Sequence, residues 1–79
     1  MGNNMTNKTV NYRGYEIGWQ DPPLTSAGFD MSIASDDRGL MGRLEAHSGM
    51  RGAHNFRATG TEEQRLTEAK HYIDAVLGN

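Results

Sequence analysis

The stretch from Thr61 to Asn79, TEEQRLTEAKHYIDAVLGN, constrains the fold more than any other, because its start signal, periodicity and stop signal agree on one helix. Thr61 with Gln64 three positions later fits a capping box, and Glu62 and Glu63 occupy the first turn, where the positive end of the helix dipole favours carboxylates. Leu66, Ala69, Ile73, Val76 and Leu77 recur at helical spacing, so one stripe is apolar and has to be buried. Gly78 supplies a C-terminal cap. A single amphipathic helix cannot bury itself, so the preceding residues must provide the surface it covers.

That surface has to be small. Seventy-nine residues allow one domain with a thin core, near the size at which apolar burial barely exceeds chain entropy. There are no cysteines, so neither disulfides nor a zinc-thiolate cluster assists, and nothing indicates an oxidising compartment. The apolar runs are only a few residues long and the N-terminus lacks the apolar core of a signal peptide, which predicts a soluble, cytoplasmic protein without membrane contact. Eight Lys and Arg against ten Asp and Glu give a net charge of −2 with the signs interspersed, which disfavours a dedicated nucleic-acid or anionic-membrane surface.

Residues 1–8 are polar and carry nothing to pack, so they are expected to form a disordered tail ahead of a single domain over 9–79. From Thr9 onward, Val10 and Tyr12 alternate in one phase and Tyr15, Ile17 and Trp19 in the other. One strand accommodates that change with an extra residue, and Arg13-Gly14 at the phase change predicts a β-bulge; a tight turn between two short strands is the alternative. Asp21-Pro22-Pro23 ends the strand, since neither proline donates to a ladder.

Phe29, Met31 and Ile33 alternate with Asp30, Ser32 and Ala34, the pattern of a strand with one buried and one wet face. Asp36-Asp37-Arg38-Gly39 reads as a turn, and Leu40, Gly42 and Leu44 as the next inward set. Parity then favours a four-residue loop pairing Ser35 with Leu40, Ile33 with Gly42 and Met31 with Leu44. Residues 45–53 hold two glycines and no sustained period, so they read as a flexible connection. His54 to Ala58 completes the sheet, with Phe56 and Ala58 inward and Asn55 and Arg57 outward.

The expected architecture is α+β: an antiparallel meander of three to four strands with one C-terminal helix packed on one face, β-β-β-(β)-α. In that topology loops 20–28 and 45–53 share one end of the sheet, while the Asp36–Gly39 turn and the N-terminus of the helix share the other.

Tyr12-Arg-Gly-Tyr-Glu-Ile17 near the start, with Phe56, Thr61-Glu-Glu and Ala69-Lys-His-Tyr-Ile-Asp74 near the end, carry a resemblance. The chain resembles small uncharacterised bacterial and phage proteins in which a YrGyeI-like strand opens a short sheet and an eAkxyID-like helix closes it. That resemblance spans the two ends of the chain and implies the meander-plus-helix fold. It implies no activity, because it brings no catalytic motif.

Chemistry-bearing residues are few. His47 and His54 with Glu45 are the one combination resembling a two-histidine, one-carboxylate metal set, but the spacing fits no tight motif and no metal is expected. His71 falls opposite the apolar stripe and reads as a surface residue. Ser48 beside His47 lacks a glycine elbow and an orienting carboxylate, and Gly49-Met-Arg-Gly52 lacks the lysine and spacing of a phosphate loop. No catalytic residue and no cofactor is assigned, and an enzyme is not expected.

Arg43 and Arg57 are expected to project from adjacent strands on the face opposite the helix, with Arg13 nearby and Arg51 in the following loop. Tyr12, out of phase with Tyr15, would join them if exposed. Tyr12, Arg13, Arg43, Arg51 and Arg57 therefore form the candidate interaction surface. The leading expectation is a non-enzymatic protein-interaction or accessory module working through the outer sheet face or an edge strand, as a monomer or a weak homodimer through that edge. The alternatives are a weak nucleic-acid binder using the arginines, and a small-ligand site between loops 20–28 and 45–53.

Overall fold

The computed structural model describes residues 6–23 and 25–78. The element order is β1 (Thr6–Tyr12), β2 (Tyr15–Asp21), β3 (Phe29–Ala34), α1 (Arg38–Ser48), β4 (His54–Ala58) and α2 (Glu62–Leu77). The four strands form one antiparallel sheet in the order β1-β2-β3-β4, and α2 closes the α+β domain on one face. Among the described residues no helix is long and apolar enough to cross a membrane.

Helix α2 forms as its sequence predicts. The Thr61 hydroxyl accepts the Gln64 amide and the Gln64 side chain accepts the Thr61 amide, which closes the capping box, and Gly78 ends the helix at φ 80°. Ala69, Ile73 and Val76 are buried against Tyr15, Ile17, Trp19, Met31 and Ile33 of the sheet. The expected alternation of β3 holds, with Met31 and Ile33 buried and Asp30 exposed.

Residues 6–8, expected in the tail, belong to β1; residues 1–5 lie outside the described residues. Arg13-Gly14 is a two-residue turn rather than a bulge. Both residues have positive φ, 53° and 89°, as a type I′ hairpin requires, and the flanking pair is Tyr12↔Tyr15. Such a turn reverses the chain without exchanging faces, so Val10, Tyr12, Tyr15 and Ile17 all face the helix and the apparent phase change is accounted for.

The larger correction concerns residues 36–48. Asp36 to Gly39 is not a hairpin turn and Leu40 to Leu44 is not a strand: the segment is helix α1. Asp37 is its N-cap, with its carboxylate accepting the Leu40 amide at 3.0 Å, and Gly49 at φ 75° caps the end by donating to the Glu45 carbonyl. The Ser35 hydroxyl fixes the entry by accepting the Asp37 amide and donating to the Gly14 carbonyl. Ile33 and Met31 pair with His54 and Phe56 of β4, not with Gly42 and Leu44. Within the segment read as a flexible connection, residues 45–48 are the last turn of α1.

A helix in place of a strand reverses the ends. β4 starts beside the C-terminal end of β3 and finishes beside Phe29, so α2 begins at the end where β2 ends and β3 begins. Its C-terminus returns to the Arg13-Gly14 turn and the start of α1, where Asp74 meets Arg13 and Leu77 meets Arg43. Asp37 therefore lies at the C-terminal end of α2, not beside Thr61. Loops 20–28 and 45–53 lie at opposite ends of the sheet, which removes the shared loop end as a ligand site.

Candidate functional site

The five residues expected to share a surface are dispersed. Tyr12 is half-buried on the helix side of β1, and its hydroxyl donates to the Asp74 carboxylate at 2.9 Å and 3.2 Å. Arg13 reaches the same carboxylate at 2.8 Å. The hydrogen bond from Arg13, followed by that from Tyr12, holds the Asp74 carboxyl below its usual range. Arg43 projects from α1 rather than from the sheet and donates to the Leu77 carbonyl at 3.3 Å, closing an orphan acceptor at the end of α2. Arg51 is exposed in the loop before β4. Only Arg57 occupies the outer sheet face, where it pairs with Asp30 directly across the β3–β4 ladder at 3.0 Å.

The outer face is neutral to acidic and rich in amides and hydroxyls. Alternation places Asn7, Thr9 and Asn11 of β1, Glu16, Gly18 and Gln20 of β2, Asp30 and Ser32 of β3, and Asn55 and Arg57 of β4 on the side away from α2. Register aligns Thr9, Gly18, Ser32 and Asn55 in one row across all four strands. Gly18, with no side chain, leaves a shallow concavity of about 370 Å³ bordered by Asn7, Thr9, Glu16 and Ser32. Glu16 and Asp30 oppose the single Arg57, so the face lacks the basic excess that tracks a phosphate backbone.

This face ends at an open strand edge. β1 pairs residue by residue with β2 along its seven residues and, among the described residues, has no neighbour on its other side. In a two-residue hairpin the closing pair exchanges both backbone bonds, so Tyr12, Val10, Lys8 and Thr6 direct their peptide groups toward β2. Asn7, Thr9 and Asn11 direct theirs outward, and their side chains belong to the outer face. Lys8 is the one charge on the strand. Its ammonium lies 3.3 Å from Asp21 and 3.6 Å from Glu62 of α2, and the bond to Asp21 foremost raises its pKa.

A second cluster lies between β4 and α2. His54 stacks on Tyr72 with ring centroids 4.0 Å apart and on Phe56 at 5.5 Å, and His47 of α1 meets Tyr72 edge-on at 5.2 Å. His71 and Glu68 border the same groove, of about 270 Å³. Burial, then the neighbouring His47, pushes His54 below its ordinary pKa. The imidazole of His54 is thus packed as a ring, and the Glu45 carboxylate accepts the Gly52 amide at 2.7 Å. Among the described residues no group of three or more His, Asp or Glu is placed to hold a metal.

Sequence reasoning missed Arg65. It is 4% exposed, stacks its guanidinium 3.5 Å from the Phe29 ring centroid, lies 5.9 Å from that of Trp19, and donates to the Gly60 carbonyl at 2.7 Å. The signal was its spacing, since Arg65, Ala69 and Ile73 fall four apart and occupy one line of the buried stripe. No protein-family model, curated protein or solved structure matches the chain.

Proposed function

We propose that this domain is a small, non-enzymatic protein-interaction module that receives an extended segment along the open edge of β1. The observation that carries the reading is a seven-residue strand that, among the described residues, is paired on one side only, with no proline and no bulge, its outward peptide groups at Asn7, Thr9 and Asn11. Long regular edges of this kind are a template for strand addition, and proteins that do not use them ordinarily shorten, bend or charge them. Main-chain bonds would supply affinity, and alternate side chains of the incoming segment would meet either the amide-rich outer face or the flank of α2.

The test is selection of extended peptides against the folded domain, followed by backbone amide spectra and hydrogen exchange. Bound peptides are expected to protect the amides of Asn7, Thr9 and Asn11. Thr9→Pro removes one outward donor while leaving the hairpin bonds in place, because an edge strand tolerates proline where its amide faces solvent, and it should weaken binding about tenfold or more. Peptides that bind tightly yet leave those amides unprotected would overturn the reading, as would a selection that yields no strand-binding peptide.

A further inference from the structure

We infer that the segment β1 receives is the β1 of a second copy, paired antiparallel about a two-fold axis through Thr9. This rests on the strand-edge reading above and adds the identity and register of the occupant. Thr9 is the midpoint of Thr6–Tyr12, and its peptide group is one of those facing outward, so an axis there lets the whole strand pair with its mate. The edge-facing pairs would be Thr9 with Thr9 of the second copy and Asn7 with its Asn11, giving about six backbone hydrogen bonds.

Side-chain chemistry agrees with that register. On the outer face hydroxyl meets hydroxyl at the axis and amide meets amide on either side, which continues the uncharged row of Thr9, Gly18, Ser32 and Asn55 into an eight-stranded sheet. On the helix face Lys8 falls opposite Val10 and Thr6 opposite Tyr12, so no like charges stand directly across the ladder. The two Lys8 residues lie diagonally across the axis. Each ammonium is held back by Asp21 and Glu62 of its own chain, so the charge that would protect a lone edge is answered within the protomer.

The chain contains no cysteine, which makes single-cysteine cross-linking a direct reading of the register. At a hydrogen-bonded antiparallel pair the Cα atoms are about 5.5 Å apart, within disulfide range. Thr9→Cys should therefore oxidise to a covalent dimer at least about tenfold faster than Asn11→Cys, whose copies would be separated by about 13 Å, or than Asn55→Cys on the other edge strand. Sedimentation of the unmodified chain should show a concentration-dependent dimer, and Thr9→Pro should remain monomeric with an unchanged circular dichroism spectrum.

Equal cross-linking at the three positions, faster cross-linking at Asn55, or a monomer at millimolar concentration overturns self-pairing. If Thr9→Pro does not fold, the cysteine variants decide alone. A monomer whose β1 amides are still protected by selected peptides overturns this inference and leaves the strand-edge reading standing; a monomer that binds no such peptide overturns both.

Discussion

Alanine at two glycines should change stability in opposite directions, and the signs follow from the local geometry of each. Gly14 sits at φ +89° in the β1–β2 turn, and a Cβ there would lie 2.5 Å from Cδ1 and 3.9 Å from Cγ of Leu40. An L-residue in left-handed backbone costs about 1–2 kcal/mol, and pushing Leu40 off its rotamer adds about 0.5–1.5 kcal/mol. Gly14→Ala should therefore destabilise by about 1.5–3.5 kcal/mol, and at about 4–8 °C per kcal/mol for this chain length the melting temperature should fall by roughly 6–28 °C. Gly42 is a helical residue of α1, and a Cβ there would meet nothing within 4 Å. Alanine there should stabilise by about 0.5–1 kcal/mol, a rise of roughly 2–8 °C. Melts followed by far-ultraviolet circular dichroism, with urea titrations to check that the transition keeps its slope, measure both. In a Leu40→Ala background the Gly14→Ala penalty should shrink, since the contact it creates is gone. A loss of stability in Gly42→Ala comparable to that in Gly14→Ala would refute the helix at residues 38–48.

Three further outcomes test the core and its titratable groups. Ile73 is fully buried beneath the sheet, so Ile73→Ala should cost about 2–5 kcal/mol and leave little folded protein; a variant that melts with the parent refutes the register of α2. Arg65 is buried with its Nε unpartnered and forms no ion pair among the described residues, so Arg65→Met should hold or raise the urea midpoint, and a loss above about 1 kcal/mol would show that its ring contacts outweigh desolvation. The folded state favours neutral His54, so its contribution to stability is complete above the ordinary value of 6.5 and is lost as pH falls through the lower folded-state value; His54→Phe should flatten that slope in pH-dependent urea titrations, and an unchanged slope refutes the assignment.

Legibility in the sequence followed the strength of local signals. Helix α2 was readable because Thr61, Gln64, the Ala69–Ile73–Val76 spacing and Gly78 all point to the same structure. Helix α1 was not, because Gly39 and Gly42 weaken helical propensity and Leu40, Gly42 and Leu44 imitate a period of two. The helical set was Leu40, Met41 and Leu44, of which Leu44 alone is fully buried, and Asp37 served as a cap where a hairpin turn was expected. Arg13-Gly14 hid its turn because arginine seldom adopts positive φ. An edge strand was expected only as a class of surface, because which edge is regular and which peptide groups face outward depend on the hairpin register, and that depends on the turn. The arginine cluster dissolved for a related reason: placing Arg43 on a strand put it beside Arg57, whereas the helix sends it to Leu77.

Tyr12 and Arg13, early in the chain, are tied to Asp74, sixty-odd positions later, and this has a consequence for the order in which the molecule can be made. As the polypeptide leaves the ribosome, the first hairpin has only local partners, and Tyr15, Ile17, Met31 and Ile33 remain without their cover until the segment through Leu77 has emerged. Nascent chains stalled short of Ala69 would present that apolar surface and the bare β1 edge together, the combination that chaperones bind. The commitment to a folded state therefore follows the emergence of α2 from the ribosome rather than accompanying its synthesis, and until that moment the apolar sheet face has no cover of its own.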